Sequence, residues 1–245
     1  MLDNFSYSEL VIEKCDSLRS VPRMILSANC LQKFTLTNIP SLISFLADCF
    51  PISLRSLDIW NCRKLEFLSH NTWHKFTSLE ILRIWNSCCS LTSISLGIFP
   101  ALQELYIRFI PNLEAITTQG GESSPKLVDF IVTDFKGLRD EDLVNTLLKE
   151  QSLPTSLEYL FLHNFSGLKL LEGKGLQNLT SLQMLHMYNW PSFESLPEDQ
   201  LPSSLVVLSL RECPLLEARY QSQNGKYWSK IAHIPAIKIN EKVII

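Results

Sequence analysis

One spacing of apolar residues recurs along almost the whole chain and constrains its fold more than any other feature. Written as LxxLxIxxCxxL, it is met in full by Leu54, Leu57, Ile59, Cys62 and Leu65, and again by Leu205, Leu208, Leu210, Cys213 and Leu216. Other copies keep the apolar spacing with substitutions. Taking the second apolar position as a marker gives Leu10, Phe34, Leu57, Leu82, Leu105, Phe130, Leu160, Leu185 and Leu208, whose successive differences are 24, 23, 25, 23, 25, 30, 25 and 23. A unit this short cannot bury its apolar face alone, so units at a fixed period must stack on one another.

Two periodicities inside each unit say how they stack. The LxI or LxL segment buries alternate residues and is a strand, while the later apolar positions return the chain along the opposite side. Stacked strands form a parallel sheet. The reading is a leucine-rich repeat of the α/β class: a solenoid or horseshoe with a parallel β-sheet on its concave face and a convex side that is mostly irregular or 3₁₀. Return segments such as LPTSLEYL and LPSSLVVL, rich in Pro and Ser, call for turns rather than helices. One exception is expected between Leu138 and Leu157, where RDEDLVNTLLKEQ sets Leu143, Val144, Leu147 and Leu148 on one helical face behind the acidic first turn Asp140–Asp142. This inserted α-helix reads as packing on its own coil, with a docking helix as the alternative. The polar run TTQGGESSPK reads as an exposed loop. Residues 1–216 are assigned to about nine repeats, with truncation at the N-terminus as an open alternative, and residues 217–245 to a C-terminal cap in which Tyr220, Trp228, Ile231, Ile234, Ile237 and Ile239 cover the last coil. No comparable cap precedes Leu10, so Leu10, Ile12 and Leu18 are expected to be incompletely covered.

Composition narrows the function. A 46% hydrophobic content excludes a wholly disordered chain, and a formal net charge of −3 gives no bulk attraction to nucleic acid or an anionic membrane. The count of 7 Cys is odd, Cys88 and Cys89 are adjacent, and there is no CxxC pair, which disfavours a disulfide framework or a structural zinc site and suits reduced thiols. The first twenty residues do not read as a signal peptide, and no apolar run is long enough for a membrane span.

The repeats SLRSLDIWNCRKLEFL and SLVVLSLRECPLLEARY, with the ending WSKIAHIPAIKI, resemble the C-terminal leucine-rich-repeat region of plant intracellular nucleotide-binding disease-resistance proteins, the coiled-coil class in particular. The resemblance implies sensing of a pathogen effector or a guarded host protein, docking on the parent's nucleotide-binding domain, and a cytoplasmic or nuclear location. The nucleotide switch itself is not carried over. No GxxxxGK[ST] loop occurs, and GKG at Gly173–Gly175 lacks the hydroxyl residue. No cofactor is therefore expected. A secreted repeat receptor or inhibitor, and a ubiquitin-ligase substrate adaptor, remain as alternatives.

Candidate chemistry is sparse. Cys15, Cys62 and Cys213 share one repeat position and read as small buried residues. His70 and His74 have helical i, i+4 spacing but no matching carboxylate, so a packed or surface pair is preferred to a metal site. No GxSxG elbow supports a hydrolase, and no enzymatic activity is expected. The sequons at Asn4, Asn164 and Asn178 suit a secreted chain but also arise by chance.

The most informative surface is the sheet face opposite the Leu columns. Strand alternation turns outward the residues flanking each marker: Asp58 and Trp60, Arg83 and Trp85, Tyr106 and Arg108, Phe161 and His163, His186 and Tyr188. Trp, Tyr and Arg dominate binding energetics where they cluster. These ten residues are the candidate protein-binding site, with Trp60, Arg83, Trp85, Tyr106 and Arg108 as its centre and packing against another domain of a parent as the alternative use.

Overall fold

The computed structural model describes residues 7–21, 30–45, 51–66, 76–117, 127–133, 144, 148, 153–171, 175–220 and 227–244. Eleven strands form one sheet, in the order β1 (Glu9–Glu13), β3 (Lys33–Thr37), β5 (Ser56–Trp60), β6 (Ile81–Trp85), β8 (Glu104–Arg108), β10 (Asp129–Thr133), β11 (Tyr159–His163), β12 (Met184–Tyr188), β13 (Val207–Arg211), β14 (Ala236–Ile239) and β15 (Lys242–Val243). On the return side, β2 (Ser20–Val21) pairs with β4 (Ser44–Phe45), and β7 (Ser93–Ser95) with β9 (Ala115–Thr117). All of these pairings are parallel except that of β14 with β15.

Register follows the marker column without a slip. Leu57 faces Leu82, Leu82 faces Leu105, Leu105 faces Phe130, and Phe130 faces Leu160 although the interval there is longer. A shift of one residue would turn every marker to the open face, and that cost fixes the alignment. The second and fourth residues of each strand make the core, as with Phe34, Leu36, Leu57, Ile59, Leu82 and Ile84, all fully buried. In the first coil, Leu10, Ile12 and Leu18 are only partly buried, whereas their counterparts Phe34, Leu36 and Leu42 are fully so. Among the described residues, β1 has a neighbour on one side alone.

Among the described residues, most strands of the main sheet end in a left-handed turn. Nine non-glycine residues with φ between 48° and 62° stand immediately after strands of the sheet: Lys14, Asn38, Asn61, Asn86, Phe109, Asn164, Asn189, Glu212 and Asn240. Asn fills six of the nine, because its short polar side chain tolerates this conformation better than most. The turn keeps the ladder going. Asn61 N–H donates to the Trp85 carbonyl at 2.9 Å, and Asn86 N–H to that of Arg108 at 2.9 Å.

The repeat position read as cysteine has a definite task. Here a side-chain donor reaches the carbonyl of the inward-facing residue one coil back: Ser87 Oγ to Ile59 at 3.3 Å, Trp190 Nε1 to Leu162 at 3.0 Å, and Cys213 Sγ to Met187 at 3.7 Å. Ser87 and Trp190, not singled out from the sequence, thus fill the position that is Cys in the full motif. Cys62 and Cys213 are fully buried, but Cys15 is exposed, a correction to its expected burial. The reason is its place in the first coil, where no described strand precedes it. Burial pushes the Cys62 thiol up and the Cys213 thiol up to about 11, against the smaller opposing effect of the backbone contacts.

Helices depart from expectation. Of the inserted segment, only Val144 and Leu148 fall among the described residues; both are buried, and Leu148 N–H donates to the Val144 carbonyl at 2.9 Å. Gly175 packs directly on that turn, since a Cβ there would lie 1.6 Å from the Leu148 carbonyl oxygen. The TTQGGESSPK loop beyond Thr117, and His70, His74 and Asn4, lie outside the described residues. Two short helices that the sequence reading did not expect occur at Pro214–Tyr220 and Trp228–Ile231. The first begins on a proline, which suits an initial helical position, and Glu217 accepts the Cys213 N–H at 2.8 Å. It runs across the division drawn at residue 216. Beyond it Tyr220, Ile231, Ile234 and Ile237 are fully buried, and β14 hydrogen-bonds to β13.

Two outcomes are expected. Native alkylation at about pH 8 should label Cys15 rapidly and leave Cys62 and Cys213 unlabelled, because a raised pKa lowers the thiolate fraction and burial blocks access; peptide mass mapping reads this directly. Ile237→Ala should cost about 2–5 kcal/mol, measured by denaturant unfolding, with hydrogen-exchange protection lost first around β13 and β14.

Candidate recognition face

The open face of the sheet consists of columns running across the strands, and two of them hold the candidate residues. The fifth-position column reads Trp60, Trp85, Arg108, Thr133, His163, Tyr188 and Arg211 by register. Its members touch in two stretches. The Trp60 and Trp85 rings lie 4.7 Å apart at a tilt of 58°, and the Arg108 guanidinium sits 5.0 Å from the Trp85 centroid and 4.8 Å from that of Phe109. Further along, His163 and Tyr188 meet edge to face at 5.5 Å, and Arg211 lies 5.6 Å from the Tyr188 ring. Cations held on aromatic faces are positioned without losing their charge.

The third-position column reads Asp58, Arg83, Tyr106, Ile131, Phe161, His186 and Ser209. Here the structure departs from the sequence reading. Asp58 is 6% exposed, covered rather than presented. Its carboxylate accepts Arg83 Nη1 at 3.3 Å, and Glu104 accepts Arg83 Nη2 at 2.7 Å. Both ends of the Arg83 fork are therefore engaged within the chain, and its charge is offset by two carboxylates. Arg83 and Asp58 thus tie β5 to β6 on this face.

The ten candidates fall into two groups. Asp58, Trp60, Arg83, Trp85, Tyr106 and Arg108 lie on β5, β6 and β8, and Phe161, His163, His186 and Tyr188 lie on β11 and β12. Between them stands β10, whose Thr133 is buried and whose Ile131 is half-buried. In the second group Phe161, His163 and His186 are in mutual ring contact at 5.1–6.4 Å. His186 Nδ1 shares a hydrogen bond of 2.8 Å with Ser209 Oγ. Burial holds the His186 pKa below its ordinary value, with smaller contributions from the positive charges of Arg211 and Lys238. Arg211 was missed from the sequence although it flanks the marker Leu208 as Tyr188 flanks Leu185. Phe109 was missed because no strand-alternation rule reaches the turn residue.

Among the described residues, no group of three or more His, Cys, Asp or Glu could hold a metal ion, and no helix is long and apolar enough to cross a membrane. The strand register and the recurrent turn decide the architecture. The chain is a leucine-rich-repeat solenoid. No family model matches it. It is 31% identical over 215 residues to an Arabidopsis thaliana protein named "Putative disease resistance protein", an alignment covering 86% of this chain and 15% of that protein, so the chain spans a small part of its relative. Solved structures similar to it include the leucine-rich repeat domain of the type III effector XopL, with a TM-score of 0.47 and 20% identity over 80% of this chain and 58% of that one. A leucine-rich repeat protein of Leptospira interrogans has a TM-score of 0.43 and 20% identity over 79% of this chain and 51% of the other.

The His186 environment gives a pH dependence with a defined sign. A lowered native pKa means that the unfolded chain binds the proton more readily, so this contribution is complete above the ordinary histidine value of about 6.5 and is lost as pH falls from there through the lowered native value. Comparing melting temperatures at about pH 7.5 and about pH 5.5, His186→Gln should show a smaller acid-side drop than the unaltered chain.

Proposed function

We propose that the chain is a non-catalytic protein-recognition module of a plant disease-resistance protein of the coiled-coil nucleotide-binding leucine-rich-repeat class. In this reading it senses a pathogen effector or a guarded host protein, docks on the nucleotide-binding domain of its parent, and acts in the cytoplasm or nucleus. The observation that carries the reading is the aromatic and cationic column from Trp60 to Arg108 on the open sheet face, supported by the similarity to the Arabidopsis protein. Large rigid rings and held guanidinium groups give contact area at low entropic cost, which is what a protein interface core needs. The repeats at residues 1–216 supply that face, and the segment at 217–245 acts as the cap that keeps the last coil covered.

The test is site-specific photo-crosslinking in plant cells. A crosslinking side chain at positions 85, 108 or 188 on the sheet face is expected to capture a discrete partner protein, and one at positions 114 or 194 on the return side is not. Trp85→Ala should lower recovery of that partner by a factor corresponding to about 1–3 kcal/mol while shifting the melting temperature little. Capture from the return side alone would place recognition elsewhere.

A further inference from the structure

The rim of the sheet, where strands give way to left-handed turns, carries a feature separate from the columns on its face. Three turn asparagines of successive coils are linked through their side chains: Asn61 Nδ2 donates to Asn38 Oδ1 at 2.7 Å, and Asn86 Nδ2 donates to Asn61 Oδ1 at 2.8 Å. An amide nitrogen has two hydrogens, and each of these links uses one, which leaves the rim a row of N–H donors. Arg63 lies against this row, with Nε donating to Asn86 Oδ1 at 3.1 Å. That bond fixes the guanidinium plane through Nε. Among the described residues, Arg63 forms no ion pair, so Nη1 and Nη2, the two prongs that grip a carboxylate, are uncommitted.

Arg63, Asn61 and Asn86 separate and line two adjoining hollows. One, of about 510 Å³, is walled by Trp85, Phe109 and Pro111. The other, of about 580 Å³, extends past Lys64 toward Asn38 and Asp16. The asparagine row stops at Phe109, a residue with φ of 53° where the preceding three coils have Asn. An aromatic side chain is disfavoured in that conformation, and here its ring forms the apolar wall and backs the Arg108 guanidinium. Cations thus outnumber acids in the groove lining, with Arg63 and Lys64 against Asp16, and an apolar wall stands beside the uncommitted fork.

We propose that this rim groove is an anchor for a protein partner that presents a carboxylate next to an aromatic or large apolar side chain: the carboxylate on the Arg63 fork and the amide row, the apolar group between Trp85 and Phe109. The groove is continuous with the sheet face through Trp85, so the inference rests on the reading of that face as a protein-recognition surface and adds the chemistry it selects.

The probes are two blocked dipeptides, acetyl-Phe-Glu-amide and acetyl-Phe-Gln-amide, titrated into the full chain while side-chain amide and arginine Nε resonances are followed by NMR. The Glu peptide should bind with a dissociation constant on the order of 1 mM and about tenfold more tightly than the Gln peptide, shifting Asn61, Asn86 and Arg63. Arg63→Gln should abolish that discrimination at an unchanged melting temperature, since the side chain is exposed. Lys169→Gln, an exposed cation on the return side, should leave it intact. Equal binding of the two peptides, no binding of either, or discrimination that survives Arg63→Gln overturns the proposal. Photo-crosslinking from positions 85, 108 and 188 does not involve Arg63. Crosslinking without peptide discrimination therefore fails this inference alone, and discrimination without crosslinking fails the functional reading alone.

Discussion

The left-handed residue that closes nine strands of the main sheet is the constraint on which the rest of this structure depends. It ends those strands at the same level and turns the chain out of the sheet. It also lets the main-chain ladder extend one residue further, as in the bonds from Asn38, Asn61 and Asn86 to the next coil. Because those coils leave the sheet at an equivalent point, side chains at equivalent positions stand in columns, and the columns make the aromatic ladder. Were one of these turns moved by a residue, the apolar column would rotate toward solvent together with everything aligned to it. Asparagine meets the backbone requirement and adds a side-chain amide, so one residue choice both ends the strand and furnishes the rim.

Behind the turn lies a second requirement, solved differently from coil to coil. The carbonyl of the fourth strand residue lies in the ladder and has a second lone pair facing the core, where a side-chain donor reaches it. A hydroxyl serves at Ser87, an indole N–H at Trp190 and a thiol at Cys213. These side chains differ widely in size, and the surrounding packing follows them: Trp190 is buried against Phe165 and Phe193, with ring centroids 5.1 and 4.9 Å away. A shared donor position therefore coexists with variable volume, which is how an irregular sequence sustains a regular array. It also gives the Cys213 thiol a structural role, since a thiol that donates has to stay protonated.

The columns and their order were legible in the sequence, because the marker residues alone fix which side chains become cross-strand neighbours. Trp60 next to Trp85 follows from that register. What was not legible depends on side-chain reach across coils. Asp58 and Glu104 engage Arg83 from either side, a pairing that spacing along one strand does not reveal. Cys15 matched the motif yet lies exposed, since burial at that position depends on a neighbouring coil and not on the residue. Asn61 and Asn86 looked like ordinary turn residues, and their linkage exists only once coils are stacked. The helix at Pro214–Tyr220 was hidden by a repeat motif ending at Leu216 inside it.

The tryptophan pair has an optical consequence. Two indoles with centroids 4.7 Å apart and planes inclined at 58° have neither parallel nor independent transition dipoles. Their excited states couple, and a coupled pair held in a fixed skewed arrangement gives a bisignate circular-dichroism band that separate indoles do not. Since Trp60 and Trp85 belong to adjacent coils, that band reports the stacking of β5 on β6 and no other junction of the array. The chain thus contains, without labelling, an optical gauge of the joint at the centre of its aromatic ladder.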